Sequence, residues 1–119
     1  MAASDITHWK FGTVKRLSWD WLSGASGEAY SQATATRING IIDRVEFVPD
    51  GGDTAPTTLY DVVLNSANGI DVLEGAGADL SATVASSNSD LSIGVNDILT
   101  LVVSNAGNAN GGIVTVYYI

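Results

Sequence analysis

The chain is a succession of short runs in which apolar and polar residues alternate, each closed by glycine, asparagine, aspartate or proline. Alternation of period two sets one face of a strand on a core and the other in water. Val14 to Leu22 is the clearest run, with Leu17, Trp19 and Trp21 on one side and Arg16, Ser18 and Asp20 on the other. Ala29 to Ile38 and the following IIDRVEFV flank Asn39-Gly40, and Asn-Gly between alternating runs is the strongest local signal for a two-residue hairpin turn. That register puts Tyr30, Thr34, Ile38, Ile41, Val45 and Phe47 on one face and Arg37, Arg44 and Glu46 on the other, leaving Asp43 and Ile42 as misfits. A second Asn-Gly, Asn68-Gly69, separates LYDVVLNSA from IDVLEG and would gather Val62, Leu64 and Leu73 on one face. The two densest apolar runs, ILTLVVSN and GIVTVYYI, close the chain around AGNANG. Read as a hairpin, they oppose Val103 to Val114, Leu101 to Val116 and Leu99 to Tyr118 in the core, with Tyr117 on the less apolar face.

Between Gly75 and Asp97 the chain is small and polar, with a short strand or helical turn expected around Asp79 to Ala85 and a strand near Leu91 to Val95. Seven or eight short strands result. That number predicts an all-β fold, an antiparallel β-sandwich of jelly-roll-like form. Residues 1–13 lack clear alternation and read as an N-terminal arm, flexible unless a surface holds it, ahead of a single domain over 14–119. No repeat of fixed period argues for a propeller or solenoid.

Composition sharpens this picture. Only 15% of the 119 residues are charged, and glycine, serine, threonine, alanine and asparagine abound, as in turn-rich β proteins. There is no cysteine, which removes disulfides and thiolate metal sites. The start, MAASDITHWKF, has no basic cluster ahead of a long apolar run, and no stretch reaches membrane-spanning length, so neither a secretory leader nor a membrane partner is expected. Net charge is −8 and unevenly spread. All five basic residues, Lys10, Lys15, Arg16, Arg37 and Arg44, lie in the first 44 positions beside four acids, while the other 75 residues hold nine acids and no lysine or arginine. Such a body repels phosphate, which argues against nucleic acid as a direct ligand.

A search for chemistry finds little. His8 is the sole histidine, lies in the expected arm, and has no Gly-x-Ser-x-Gly elbow to serve, so no catalytic residue and no cofactor are expected. Thirteen acids could in principle supply a glycosidase pair, but most sit at turns or on polar strand faces. Calcium is the better rival, because Asp50 and Asp53 flank Gly51-Gly52 and Asp71, Glu74 and Asp79 surround GAG. Aspartate beside glycine is nevertheless far more often a turn than a ligand, and no EF-hand spacing is present. The richest binding signal is the cluster Trp9, Lys10, Phe11, Lys15 and Arg16, joined by Tyr117, since aromatics and arginine are favoured in interface hot spots.

The order of features from Leu17 to Ile119 resembles that of small β-rich virion proteins of tailed bacteriophages. It comprises RVEFVPDGGDTAPTTLYDVVLNSANGIDVLEGAGADLS and then LTLVVSNAGNANGGIVTVYYI, closed by an Ala-Gly-Asn turn. The resemblance implies a capsid decoration or cement protein on the outer surface of the head. Its partner would then be the major capsid protein, its state a homotrimer, and its place the virion after synthesis in the host cytoplasm. It carries no catalytic motif. A tail or neck component, or a carbohydrate- or calcium-binding β-sandwich module, is the alternative.

Overall fold

A computed structural model describes residues 5–119. Met1 to Ser4, the beginning of the expected arm, lie outside the described residues. Nine strands follow in order: β1 (Ile6–Trp9), β2 (Lys15–Leu22), β3 (Tyr30–Ala33), β4 (Ile38–Pro49), β5 (Asp61–Asn65), β6 (Ser86–Asn88), β7 (Ile93–Asp97), β8 (Thr100–Ser104) and β9 (Gly111–Tyr118). They form two antiparallel sheets. Sheet A runs β1-β2-β9-β4, with β6 and β7 both paired to β4, and sheet B runs β3-β8-β5. From β2 to β5 and again from β7 to β9, consecutive strands alternate between the sheets. This is the wrapping of a jelly-roll sandwich, as alternation and composition implied, with nine strands among the described residues rather than seven or eight, because Ile6–Trp9 of the expected arm adds β1.

The core lies between the sheets. Leu17, Trp19 and Trp21 of β2 line up beside Val116, Val114 and Gly112 of β9, and all three β2 side chains are buried. Across from them sit Tyr30, Leu101, Val103, Val62 and Leu64 of sheet B. Trp19 Nε1 donates to the Gln32 carbonyl at 3.1 Å, tying β2 to β3, and the Trp21 ring meets Tyr60 at 5.5 Å between centroids. Gly112 is required where it stands, because a Cβ there would press on the Val48 carbonyl at 2.7 Å and on the Trp21 ring.

Four local expectations are corrected. Asn39-Gly40 is no turn: β4 runs straight through it, paired with β7 from Ile38 to Ile42. The register of β4 against β9 shifts between Ile42 and Arg44, a bulge in which Asp43 is the extra, exposed residue. It switches the buried set from the even positions Ile38 and Ile42 to the odd positions Val45 and Phe47. Ile41 is therefore exposed and Ile42 buried, and the two misfits of the hairpin reading disappear.

The final apolar runs do not pair with each other either. β8 sits between β3 and β5 in sheet B, whereas β9 sits between β2 and β4 in sheet A, and residues 105–110 carry the chain across. Ser23 helps to hold that crossing, donating through Oγ to the Gly107 carbonyl at 2.6 Å and accepting from the Asn110 amide. Asn68-Gly69 does turn the chain, since the Gly69 amide donates to Ser66 and the Ser66 amide to Ile70. Its return is one bridge, Asn65 to Asp71, rather than a strand, although Val62, Leu64 and Leu73 are all buried as expected. Residues 6–9 of the expected arm are a strand of sheet A, paired along β2 from Ile6↔Trp19 to Trp9↔Arg16.

Candidate functional site

Because Leu17, Trp19 and Trp21 face inward, the residues between them line the outer face of sheet A. Strand pairing then builds rows that run across the sheet. One row is Trp9 of β1, Arg16 of β2, Tyr117 of β9 and Arg44 of β4, each opposite the next in register. Aromatic and cationic groups alternate along it. The Arg16 guanidinium lies 4.2 Å from the centre of the Trp9 ring, and that of Arg44 lies 4.3 Å from the centre of the Tyr117 ring. Planar guanidinium on an aromatic face is an attractive cation–π arrangement that also fixes the arginine's direction. Arg44 pairs in addition with Glu46 at 3.3 Å, and the Tyr117 hydroxyl donates to the Glu46 carboxylate at 3.1 Å.

The next row is Thr7, Ser18, Thr115 and Glu46, in which the Ser18 and Thr115 hydroxyls bond each other at 3.0 Å. Beyond it Ile113 and Val48 are paired and partly exposed. On the other side of the aromatic row, Val14, Ile41 and Ile119 are exposed, and Ile119 and Ile41 exchange both backbone hydrogen bonds. The whole is a shallow depression of about 410 Å³ over Trp9, Arg16, Ser18, Thr115 and Tyr117, flanked by apolar side chains. It is suited to docking another surface, because aromatics and arginine with an apolar surround are the anatomy of interface hot spots.

Of the residues singled out in the sequence, Trp9, Arg16 and Tyr117 come together in this row. Lys10 and Phe11 follow β1 on the loop to β2, and Phe11 is 87% exposed. Lys15 does not join the face. It is opposite Tyr118 in register, and its Nζ stands 5.6 Å from the centre of that buried ring. The sequence reading missed Arg44, Glu46, Ser18 and Thr115 as members of the face. Arg44 and Glu46 had been recognised as sharing a polar strand face, but only the pairing of β4 with β9 brings them to Tyr117.

His8 points to the core side of β1, where its Nε2 and the Tyr118 hydroxyl hydrogen-bond at 2.5 Å. Burial first, and the nearby Lys10 charge second, hold its pKa below the usual histidine value. Burial likewise raises the Tyr118 phenol. This histidine ties β1 to β9.

In the acidic loops two aspartates, Asp71 and Asp61, are engaged by backbone amides. Asp71 accepts from the amides of Leu64, Leu73 and Gly75, each at 3.0 Å, and so builds the turn that follows β5. Asp61 accepts from the Asp79 amide and from the Asn105 side chain. Among the described residues no trio of histidine, aspartate and glutamate is placed to hold a metal ion. A second hollow of about 650 Å³ lies at the opposite end of β2, with Asp5, Asp20, Glu28 and Asp50 around Tyr30. Three of these carboxylates already accept hydrogen bonds: Asp5 from Tyr30, Glu28 from the Ser26 amide and Asp50 from Thr54.

No family model matches the chain, and no curated protein matches it. Among solved structures, a low-affinity xylan-binding module from the gut symbiont Roseburia intestinalis is similar over 100% of this chain and 92% of its own. Its sequence identity is 11% and its TM-score 0.48. No functional conclusion follows from so slight a likeness.

Proposed function

We propose that this protein is a virion structural protein of a tailed bacteriophage, one that binds the outer surface of the head and reinforces it, with the major capsid protein as its partner. It acts by binding, not by catalysis, at the capsid surface after synthesis in the host cytoplasm. The resemblance of Leu17 to Ile119 to small phage virion proteins suggests the setting. The observation that carries the binding role is the row Trp9, Arg16, Tyr117 and Arg44 across four neighbouring strands. It places arginines together with the half-exposed Trp9 and the partly buried Tyr117 on a molecule that is otherwise acidic. The jelly-roll sandwich supplies a stiff support for such a face without disulfides.

Co-sedimentation with empty phage heads and, separately, with isolated tails tests this at low and high salt. Saturable binding to heads that weakens with salt is expected, because the arginines contribute a screened attraction. A Trp9→Ala, Arg16→Ala double variant should lose that binding by about tenfold or more, as truncation of an aromatic–arginine hot spot does. Binding to tails alone moves the protein to the tail or neck.

One observation favours a carbohydrate-binding reading: the Trp9 ring is 49% exposed beside the hydroxyls of Thr7, Ser18 and Thr115. Against it, one face of that ring is already covered by Arg16. Retardation in affinity electrophoresis through soluble polysaccharides, abolished by Trp9→Ala, would establish the carbohydrate reading in place of the first.

A further inference from the structure

Strand β1 ends sheet A. It is paired with β2 on one side, and among the described residues no strand lies on the other. An open edge is a template for another strand, and proteins blunt such edges with charge, cover or brevity. The other edges among the described residues are treated in those ways, and β7 carries Asp97 and has its Asn96 carbonyl covered by the Arg37 guanidinium at 2.7 Å. The outer side of β5 is covered by residues 71–80, through bridges at Asp71 and Leu80 and the Val62 amide's bond to Gly77. β6 is the short polar run SSN, and β3 is YSQA with no exposed apolar side chain. β1 is ITHW, uncharged, and carries the half-exposed Trp9.

The ends of this edge have opposite charge. Asp5 and Asp20 lie at its start, because Ile6 pairs with Trp19. Lys10, Lys15 and Arg16 lie at its finish, where Trp9 pairs with Arg16. A second copy laid antiparallel along β1 sets the acidic end of each chain on the basic end of the other, twice over. A parallel copy would set like charge on like. We propose that two copies of this chain join in this way through β1, making one continuous sheet across a two-fold axis.

The pleat fixes where the axis lies. Thr7 and Trp9 face outward while Ile6 and His8 face inward. Residues directly opposite share a face, so only registers whose paired numbers sum to an even value keep side chains on their own sides. An axis at Thr7 satisfies this, sets Ile6 opposite His8 of the second copy, and brings Asp5 of each chain to the Trp9–Lys10 end of the other. An axis at His8 would oppose Ile6 to lysine. The pairing joins two six-stranded sheets and places both aromatic–arginine rows on one side. It is a self-complementary interface of the commonest symmetry class, it stands in place of the homotrimer that the resemblance implies, and it is independent of the proposed phage role because it concerns the purified protein alone.

Thr7→Cys tests it directly. Thr7 is exposed, and the chain has no other thiol. On the axis the two Cα atoms would be about 4.5–5.5 Å apart, inside the roughly 4.4–6.8 Å range of disulfides. Oxidised Thr7→Cys should run as a covalent dimer, whereas a control Ser87→Cys should remain a single chain. Light scattering of the unmodified protein should give twice the 12.3 kDa chain mass. Lys10→Glu should weaken dimerisation by about tenfold, since two symmetric attractions become repulsions, and adding Asp5→Lys should restore it. A monomeric or trimeric mass at micromolar concentration would overturn the proposal, as would a dimer whose Thr7→Cys variant cross-links no faster than the control.

Discussion

At the scale of single residues, the fold depends on a few positions where a side chain, or the lack of one, decides the backbone's path. Gly40 has φ +157°, and a Cβ there would collide with the Ile119 carbonyl oxygen and touch the Tyr118 ring. Because the obstacle is backbone, Gly40→Ala should destabilise by about 2 kcal/mol or more, measurable as a lower urea midpoint. His8 gives a pH signature. Its folded pKa lies below that of the unfolded chain, so the unfolded state binds more protons as pH falls through the histidine range. The stability tied to neutral His8 is complete above that range and is lost as pH falls toward the folded value. The melting temperature should therefore drop as pH falls below the ordinary histidine value of 6.5, and His8→Asn should flatten that segment. The alternating burial of Leu17, Trp19 and Trp21 was legible in the sequence because a one-sided strand repeats every two residues. The exchange of Ile41 for Ile42 was not, since a bulge at Asp43 leaves no mark in composition and breaks the very period used to read faces.

At the scale of elements, the sequence located most strands but not their partners. Asn39-Gly40 has the composition of a turn, yet the neighbouring chain, β7, offers β4 a ladder from Ile38 to Ile42, and tertiary pairing prevails over the local preference. The segment expected as an arm supplies β1, whose Ile6 packs on the core and whose His8 bonds Tyr118. Removing residues 1–10 should consequently cost about 1–2 kcal/mol, roughly the value of one partly buried aliphatic side chain. A denaturant midpoint unchanged by the truncation would show that β1 contributes nothing to the domain. Asp71 is the key to the turn after β5. Asp71→Ala strands three amides and should destabilise by about 1–3 kcal/mol. Added calcium should not rescue that variant, a result readable by thermal melting with and without chelator.

At the scale of the whole molecule, charge and buried phenols set the response to solution conditions. Burial pushes the Tyr60 phenol up to about 12 and raises Tyr30, where Asp5 and Asp20 add to the effect. Both are protonated in folded and unfolded chains below the ordinary value of 10.0, so their contribution is complete there. It is lost as pH rises from that value through the folded ones, because only the unfolded chain ionises. Unfolding above pH 10.0 should thus coincide with a cooperative rise in tyrosinate absorbance. The outer face of sheet A also belongs to this scale. Trp9, Arg16 and Tyr117 were visible as candidates by residue type, but residues some 100 positions apart become a row only when β9 enters between β2 and β4. By itself the sequence determined that the chain is all-β, that it folds around Leu17, Trp19, Trp21 and the two closing apolar runs, and that its positive charge lies in the first 44 residues. Those are properties of period and composition, which act locally. Only the tertiary structure decided that the closing runs belong to different sheets, that Lys15 is apart from the aromatic–arginine face while Arg44 is on it, and that β1 is an edge of sheet A among the described residues. Strand pairing is non-local, and a two-residue period marks which side of a strand is buried without marking which strand lies beside it.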